Sequence, residues 1–364
     1  MILFNDFKKQ YYFLRDEIDS AIKEVLESGW YILGSKVNKF EIEFADYLKS
    51  KYCVGVGNGF EAIQISLMAL GIKRGDEVIT TSHSAIATGL AIKAVGANPV
   101  FVDIDDYYHL DASKIKEKIT KKTKAILPVH LYGQSVDIEN IKKIAQKNNL
   151  YLIEDCAQAH GAEYNGKKLG TFGHAGCFSF YPTKNLAGFG DGGAIVTDNF
   201  ELYEKSKMIR NYGQKNKYQH EICGLNSRLD ELQAAILLVQ LRHLEEYNEK
   251  RRQIAVQYFQ LLRHIKQINL PKIRKRANHV YHLFVIEADK RDDLKVYLNK
   301  NNIPTMIHYP VPIHQQKCFS EFNKLNLPVL DKKISKILSL PVHPFLEQQD
   351  IIYICNKIGK FYED

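Results

Sequence analysis

The sequence predicts an α/β fold in which a mostly parallel sheet lies between helices, followed by a smaller α+β region. From about residue 52 to residue 197, short apolar runs of β type alternate with amphipathic helical patterns. This alternation is typical of parallel sheets covered by helices. The chain has 364 residues, 45% of them hydrophobic and 25% charged, as in ordinary globular proteins. That length is enough for a large core and two domains.

The N-terminal part is predicted to be helical over 8–28 and 37–49, with the segment SGWYILG between the two helices. Strands are expected at 52–57, 77–81, 98–102, 124–128 and 150–154, with two further β-type runs at 176–181 and 193–197. The helices between them are expected over 60–71, 84–95, 111–119 and 137–148. Parallel strands end at a common edge of a sheet, which is where open α/β sheets bind ligands.

A long helix is expected over 229–262, because its apolar residues recur at helical spacing. We predict a large domain over 1–240 and a smaller α+β domain over 241–364, entered through this helix. The smaller domain is expected to contain a strand at 280–287 and helices at 290–301 and 347–361.

The net charge of +8 and the pI near 8.9 indicate a basic surface. The lysines are spread along the chain, with local runs only at 114–124 and 272–276. A nucleic-acid-binding protein would concentrate this charge on one element, so we interpret it as a solvated surface and expect no nucleic-acid partner. A mild attraction for anionic small molecules, such as nucleotide diphosphates, is compatible with it.

Membrane and metal classes are also disfavoured. No apolar run approaches the roughly 20 residues of a membrane span, and the N-terminus lacks the pattern of a signal peptide. The six cysteines are scattered, without CxxC pairs or histidine clusters at metal spacing, so we expect reduced thiols, a cytoplasmic location and no bound metal.

The strongest functional signal is a carboxylate and a lysine that follow two neighbouring predicted strands. Asp155 ends the run YLIED, and Lys184 lies in a Pro-Thr-Lys loop after the run CFSF, followed by four glycines. Each residue alone could be ordinary: Asp155 a helix cap, Lys184 a solvated loop lysine. Together they are the groups that pyridoxal phosphate (PLP) needs, a lysine to hold it as a Schiff base and a carboxylate to keep its ring nitrogen protonated. The glycines indicate that the backbone approaches a ligand closely there.

A phosphate site is expected at the turn Gly57-Asn58-Gly59, where a predicted strand leads into a helix. The free N–H groups and the dipole of a helix N-terminus favour anions. Ser179 could add a hydroxyl donor. Glycine at such turns is also common for purely conformational reasons.

Four further side chains are candidates near these strand ends: His83, Gln158, His160 and Tyr181. His83 could lie against a cofactor ring, or it could be an ordinary histidine. Gln158 could hydrogen-bond a ring substituent, and His160 could support that site or carry a proton. Tyr181 could face the same ligand as Lys184.

Two later segments supply the remaining candidates. Asn226 and Arg228 open the long helix and could be capping residues. The proline-rich segment IHYPVPIHQQ carries His308, Tyr309 and His314. It is interpreted either as a substrate mouth or as a structural crossover.

Over about residues 5–345, the chain resembles the DegT/DnrJ/EryC1/StrS nucleotide-sugar aminotransferases. The matching stretches, in family order, are SGWYILG, GNGFEAI, TTSHSAIAT, ILPVHLYGQ, IEDCAQAHGA, SFYPTKNL, GDGGAIVT, RNYGQ, GLNSRLDELQAAIL and HYPVPIHQQ. The resemblance implies the aspartate aminotransferase-like fold (PLP fold type I), with a mixed, mostly parallel seven-stranded sheet.

Carried onto this chain, the resemblance implies that Lys184 forms the Schiff base with PLP and that Asp155 pairs with the pyridine nitrogen. Gln158 would lie beside the ring hydroxyl. The residues that we predict to bind the substrate are Trp30, Tyr31, His160, Tyr181, Arg228, His308, Tyr309 and His314.

The resemblance further places the phosphate on Gly59, Phe60 and Ser179. It implies a homodimer with shared active sites, in which Asn226 reaches the phosphate of the neighbouring subunit's cofactor. Two positions depart from the family pattern. Phe60 replaces a threonine, which leaves only a backbone donor, and Ala85 replaces a ring-stacking aromatic residue, so His83 is expected to take over the stacking.

The pattern SFYPTKNL followed by GDGGA resembles the enzymes that aminate C3 of a dTDP-linked 3-keto-6-deoxyhexose. The implied reaction moves the amino group of L-glutamate to that sugar and gives 2-oxoglutarate and a 3-amino-3,6-dideoxyhexose for a surface glycan such as the lipopolysaccharide O-antigen. The alternative is amination at C4 of a 4-keto sugar. Lys184 disfavours a sugar dehydratase, which carries histidine there, and an idle binding module, which would be expected to lose the lysine. An amino-acid-specific relative of the same fold stays open.

Overall fold

The structure is a computed structural model, and it describes residues 2–363. The helices are α1 (Phe7–Phe13), α2 (Arg15–Ser28), α3 (Ser35–Leu48), α4 (Gly59–Ala69), α5 (Ile86–Ala94), α6 (Ala112–Ile115), α7 (Ile138–Lys147), α8 (Phe200–Ile209), α9 (Glu231–Leu262), α10 (Arg291–Lys300), α11 (Pro328–Ile334) and α12 (Gln348–Glu363). The strands are β1 (Tyr52–Val56), β2 (Glu77–Thr81), β3 (Asn98–Val102), β4 (Thr123–Leu127), β5 (Tyr151–Asp155), β6 (Glu163–Tyr164), β7 (Lys167–Lys168), β8 (Ala175–Ser179), β9 (Gly193–Thr197), β10 (Gln214–Asn216), β11 (Gln219–His220), β12 (Ile268–Asn269), β13 (Ala277–Asn278), β14 (Phe284–Ala288) and β15 (Ile337–Leu340).

The central sheet has seven strands in the order β1-β9-β8-β5-β4-β2-β3. Strand β9 runs antiparallel to both of its neighbours, and the other paired strands are parallel. The predicted mixed, mostly parallel seven-stranded sheet is therefore confirmed. All six parallel strands end at one edge, so the segments that follow β1, β2, β5 and β8 meet there.

Each strand of the sheet buries both of its faces. Leu152 packs in a core beneath α3, α7 and α9, whereas the next residue, Ile153, packs in the opposite core beneath α4, α5 and α8. The same alternation separates Val196 from Ile195 in β9. Because successive strand residues point to opposite faces, a sheet covered on both sides needs continuous apolar runs, as these strands show.

The C-terminal region has its own antiparallel sheet, in the order β12-β14-β15. Its core joins that sheet to α10, α12 and the second half of α9. The predicted domain boundary at residue 240 falls inside α9, which continues without a break to Leu262. The division into domains 1–240 and 241–364 therefore stays a prediction.

Two predicted elements differ from the structure. The helix expected over 8–28 is divided at Leu14, whose side chain packs with α9 while α1 contributes no buried residue. The strand expected at 280–287 begins only at Phe284, because the N–H groups of Val280 and Leu283 donate to the carbonyls of Gly133 and Tyr132 in a loop of the large sheet.

Candidate active site

A cavity of about 510 Å³ lies at the carboxyl edge of the sheet, against the C-terminal region. Its lining combines the strand-end loops, the N-terminal segment and the segment before β14. The lining residues are Phe4, Asn5, Asn58, Gly59, Phe60, Gln158, Ser179, Tyr181, Thr183, Lys184, Asp191, His282, Leu283, Met306, His308 and Tyr309. Many of the predicted cofactor-binding residues thus meet in one place.

Asp155 ends β5 below this cavity, with only 4% of its surface exposed. Its Oδ2 accepts a hydrogen bond of 2.9 Å from the Thr88 hydroxyl, and its Oδ1 accepts one of 3.1 Å from the Ala157 N–H. Burial raises the pKa of the Asp155 carboxyl, while these two donors and the charge of Lys184 oppose that rise. The two hydrogen bonds therefore stabilise the ionised form of Asp155. Because a buried charge is costly, the carboxylate also needs a cationic partner.

Lys184 lies in the loop after β8 and lines the cavity. The Lys184 N–H donates to the Tyr181 carbonyl at 2.9 Å, and the Gly188 N–H donates to the Phe180 carbonyl at 2.8 Å, which closes the loop. Burial lowers the pKa of the Lys184 ammonium to about 8, and the charge of Asp155 opposes this shift. A lysine with such a pKa can act as a nucleophile and as a base near neutral pH.

The turn before α4 forms a cradle for an anion. The Asn58 side chain caps α4 by accepting the Glu61 N–H at 2.9 Å, and the N–H groups of Gly59 and Phe60 have no acceptor within residues 2–363. A Cβ on Gly59 would lie 2.6 Å from the Cβ of Ser179. Glycine is therefore required here to bring the helix N-terminus next to the Ser179 hydroxyl.

Gln158 and Tyr309 form the wall opposite this cradle. The Gln158 Oε1 accepts the Tyr132 N–H at 2.7 Å, and its Nε2 donates to the Tyr309 hydroxyl at 3.1 Å. The Tyr132 hydroxyl donates to the His308 carbonyl at 2.5 Å. The strand-end loop is thereby tied to the segment that the sequence interpreted as a substrate mouth, and His308, Tyr309 and Tyr181 all line the cavity as expected.

His83 lies behind this wall and not among the lining residues. Its Nε2 lies 2.8 Å from the Tyr132 hydroxyl. Burial, with the nearby charges of His308 and Lys333, lowers the pKa of the His83 imidazole to about 3. Its predicted role against the cofactor ring stays a prediction.

Two other predicted histidines are buried outside the cavity lining. The His314 Nδ1 lies 2.7 Å from the Ser82 hydroxyl. This contact holds the segment IHYPVPIHQQ at the end of β2. The His160 ring is fully buried, within 5.6 Å of the Phe178 ring and 5.8 Å of the Phe180 ring. The structure thus gives both histidines packing contacts, and a direct substrate contact for either stays a prediction.

Four predicted residues are not among the lining residues of the cavity of their own chain. Trp30 is 63% exposed and Tyr31 49% exposed. Asn226 is exposed, and Arg228 donates to the Asn211 Oδ1 at 3.2 Å. Their roles in binding stay predictions, which would require a second copy of the chain.

The four glycines after Lys184 have close neighbours within the protein. A Cβ on Gly188 would lie 2.7 Å from the Oε1 of Gln233, and one on Gly193 would lie 2.4 Å from the Asn58 carbonyl oxygen. Packing within the protein therefore favours glycine at these positions, and the predicted close approach of the backbone to a ligand stays a prediction.

Three residues that sequence reasoning missed make specific contributions to the site. Thr88 holds Asp155, Tyr132 holds Gln158, and His282 lines the cavity. Thr88 lies in the motif TTSHSAIAT, in the first turns of the helix predicted over 84–95, where its position shortly after a strand end could have revealed it. For Tyr132 and His282, the partners are far away in the sequence, so no local signal existed.

Behind the site, the Glu154 carboxylate lies near His130 and Cys156, with possible ligand atoms within 4.8 Å of one another. Its oxygens already accept the N–H groups of Gly170, Phe172 and Gly173. These contacts hold the 170–173 turn against β5. Among the helices of residues 2–363, none combines the length and the apolar character needed to cross a membrane.

The comparisons with known proteins agree with this geometry. Residues 13–359 match the model of the DegT/DnrJ/EryC1/StrS aminotransferase family. The chain is 48% identical over 364 residues to a dTDP-3-amino-3,6-dideoxy-alpha-D-galactopyranose transaminase of Aneurinibacillus thermoaerophilus, covering 99% of both chains.

Two solved structures are similar throughout. The S. venezuelae DesV, crystallised in complex with a ketimine intermediate, has a TM-score of 0.97 and 42% identity, covering 100% of this chain and 99% of its own. The Bacillus subtilis protein ntda, solved with the cofactor PMP, has a TM-score of 0.91 and 34% identity, covering 96% of this chain and 82% of its own.

The protein is therefore a PLP-dependent enzyme of the aspartate aminotransferase-like fold. It belongs to the DegT/DnrJ/EryC1/StrS aminotransferase family and is an aminotransferase that acts on nucleotide sugars. The family, fold, enzyme class and cofactor predicted from the sequence are confirmed.

The residues present fit PLP. The cradle of Gly59 and Phe60 offers unpartnered N–H groups to a phosphate, and Asp155 offers a buried carboxylate to a protonated pyridine nitrogen. Lys184, whose pKa burial lowers to about 8, would supply the amine that binds the cofactor aldehyde. The Phe60 side chain brings no hydroxyl, so the phosphate would rely on backbone donors and Ser179.

Proposed function

We propose that the enzyme transfers the amino group of L-glutamate to C3 of a dTDP-linked 3-keto-6-deoxyhexose, giving a dTDP-3-amino-3,6-dideoxyhexose and 2-oxoglutarate. The observation that carries the transfer chemistry is that Lys184 lines one cavity together with the anion cradle, while the buried Asp155 lies close enough for its charge to act on Lys184. The choice of C3 and of dTDP is supported by the 48% identical relative, whose name states that sugar, and by the sequence SFYPTKNL followed by GDGGA.

PLP, when bound, supplies a carbonyl that condenses with amines and a ring that accepts electrons. Asp155 would keep a proton on the pyridine nitrogen, since its own hydrogen bonds favour the ionised carboxylate. Lys184, once released as a free amine, would take the proton from the α-carbon of glutamate. It would then return a proton to the cofactor carbon that was the aldehyde carbon of PLP. In the second half-reaction it would move a proton to C3 of the sugar. The keto oxygen of the sugar leaves as water, which balances the water that enters 2-oxoglutarate.

The distribution of charge supports a homodimer with shared active sites. Within residues 2–363, Lys184 is the only lysine or arginine that lines the cavity, yet glutamate carries two carboxylates and a nucleotide sugar carries a diphosphate. Asn226 is exposed, and the half-buried Arg228 lies over the exposed Tyr212 ring, 5.5 Å from its centroid. We propose that a second copy presents Arg228 and Asn226 to the cavity, in the cytoplasm, where the six free cysteines stay reduced.

Mixing two variants tests the shared site. Lys184→Ala and Asn226→Leu are purified separately, unfolded together and refolded as a mixture. If each site combines Lys184 of one chain with Asn226 of the other, a mixed dimer contains one site with both native residues, and the mixture regains activity. Activity no higher than that of the two variants measured alone would show that the residues act within one chain.

The reaction is tested by the cofactor's absorbance as the glutamate-loaded enzyme meets matched 3-keto and 4-keto dTDP-sugars. We expect the PLP form to return rapidly with the 3-keto sugar only. A response to the 4-keto sugar alone would replace C3 by C4 within the same reaction class. No response to either sugar after glutamate has reacted would contradict a keto-sugar acceptor of this kind. Lys184→Ala serves as the control that binds the cofactor without turnover.

A further inference from the structure

His282 lines the cavity, although nothing in the sequence pointed to it. It lies just before β14, and its side chain is only 7% exposed. Its Nδ1 lies 3.2 Å from the Oδ1 of Asn185, the neighbour of Lys184 in the same loop. Within residues 2–363, the hydrogen bond at Nδ1 is the one that the His282 ring makes, which leaves its Nε2 without a partner there.

Two main-chain carbonyls determine which atoms donate in this network. The Asn185 amide lies 3.0 Å from the Val280 carbonyl oxygen, and the Asn248 amide lies 2.9 Å from the His160 carbonyl oxygen. A carbonyl only accepts hydrogen bonds, so both of these amide atoms must be nitrogens. The Asn185 Nδ2 also donates to the Asn248 Oδ1 at 2.8 Å, consistent with the same orientation.

The Asn185 Oδ1 is consequently the atom that faces His282, and the His282 Nδ1 must donate to it. A neutral imidazole with its proton on Nδ1 has an acceptor lone pair on Nε2. Burial, with the positive charges of Lys184 and Arg251 nearby, holds the pKa of His282 well below its usual value. The ring therefore stays neutral at physiological pH and offers an acceptor to the cavity.

We propose that His282 is a specificity-determining residue whose Nε2 accepts a hydrogen bond from a sugar hydroxyl next to the keto carbon that is aminated. The proposal rests on the proposed function, since it assigns a contact to the acceptor sugar. A neutral acceptor suits a hydroxyl, which can donate, whereas it would repel the carboxylate oxygens of glutamate. The contact therefore belongs to the sugar half-reaction, and it discriminates sugars that lack the hydroxyl.

The test compares wild type, His282→Leu and His282→Gln in each half-reaction separately. Leucine removes the acceptor, and glutamine can present its Oε1 to the cavity in place of Nε2. We expect His282→Leu to lower kcat/KM for the 3-keto sugar about 10-fold, as expected for one lost hydrogen bond. His282→Gln should recover most of that loss. The glutamate half-reaction should stay within about 2-fold in both variants, since no contact to glutamate is lost.

Sugar analogues identify the contact. With 2-deoxy and 4-deoxy versions of the 3-keto sugar, wild type should lose about 10-fold on one of them, and His282→Leu should no longer distinguish that analogue from the full sugar. The dissociation constant of the 3-amino product, measured by calorimetry, should rise in His282→Leu and not in His282→Gln. Cofactor absorbance and the unfolding midpoint check that each variant is folded and loaded.

Three results would overturn the proposal. An equal loss in both half-reactions would indicate a structural role. Persistence of the wild-type discrimination between full and deoxy sugars in His282→Leu would exclude the contact. A wild-type enzyme that reacts with glutamate but with no keto sugar would remove the proposed function itself, an outcome recognised before any variant is compared.

Discussion

The hydrogen bond from Thr88 to Asp155 affects the charge state of the Asp155 carboxyl. Burial of a carboxylate favours its neutral form, and the Thr88 hydroxyl at 2.9 Å opposes this by donating to the charged form. Thr88 in turn lies 2.8 Å from the Ser84 hydroxyl. The threonine therefore positions the carboxylate and helps to keep it ionised.

Replacement of Thr88 by valine tests that role with little change in volume. A hydrogen bond to a charged group stabilises by about 1.5–3 kcal/mol, so its loss should raise the pKa of the Asp155 carboxyl further. The acid limb of the pH profile of the glutamate half-reaction should move to higher pH. Thr88→Ser keeps the hydroxyl and should leave the limb in place; equal shifts in both variants would show that the hydroxyl has no such role.

The lowered pKa of Lys184 predicts a second pH dependence, on the alkaline side of neutrality. Burial lowers its pKa to about 8, so the free amine grows as pH rises through that value. The rate at which the apoenzyme binds PLP covalently should increase through about pH 8 and then level off, as followed by absorbance. A rate that kept rising to about pH 10.5, the ordinary lysine value, would contradict a lowered pKa.

Asp155 and Lys184 could be predicted from the sequence, whereas the residues that hydrogen-bond to them or to their neighbours could not. Asp155 and Lys184 follow strong strand patterns, and parallel strands bring their ends together. Thr88 and His282 depend on partners 67 and 97 residues away, Asp155 and Asn185. Only the folded chain shows those pairs, because they arise from tertiary packing.

At the scale of elements, the approach of α4 to β8 forms the phosphate cradle. A Cβ at Gly59 would lie 2.6 Å from that of Ser179, so Gly59→Ala must displace the helix N-terminus. We expect the affinity for PLP to fall about 10-fold or more, as when one hydrogen bond to a charged group is lost, measured by titration of the apoenzyme. Gly359→Ala in α12 is the matched control, because nothing lies within 4 Å of a Cβ there. Unchanged affinity in Gly59→Ala would contradict the cradle.

The long elements were predictable and the shortest were not. Strands β2, β4 and β5 carry apolar runs that both cores require, and α9 repeats its apolar residues over 32 residues. The two-residue strands β6, β7 and β13 form a sheet of their own. Strands β6 and β7 pair locally across the turn Asn165-Gly166, a dipeptide typical of tight hairpins. Strand β13 joins them from more than 100 residues away, with Ala277 opposite Tyr164, so no local pattern indicates that second pairing.

At the scale of the whole molecule, Asp103 joins the large sheet to the C-terminal region. Its carboxylate accepts the N–H groups of Val329 and Leu330 at the start of α11, at 3.1 and 3.0 Å, and pairs with Lys114. The Tyr108 hydroxyl adds a second link, donating to the Glu287 Oε1 at 2.8 Å. These contacts hold α11 and β14 against the segment that follows β3.

Asp103→Ala should lower the free energy of unfolding by about 1–3 kcal/mol, because buried N–H groups lose their acceptor. Denaturant titration of the holoenzyme measures it. Asp46→Ala is the control, since Asp46 pairs with Lys49 on the surface with 79% of its side chain exposed, where such pairs contribute little. Equal effects of the two substitutions would show that Asp103 does not hold the two regions together.

The proposed reaction is defined by the sugar carbon that receives the amino group of glutamate. The most direct measurement incubates the enzyme, PLP and ¹⁵N-labelled L-glutamate with the dTDP-linked 3-keto-6-deoxyhexose and locates the label in the product by NMR. We predict ¹⁵N on C3 of the sugar, with one 2-oxoglutarate formed for each amino sugar. A label on C4, or an unlabelled sugar after glutamate has been consumed, would contradict the proposed reaction.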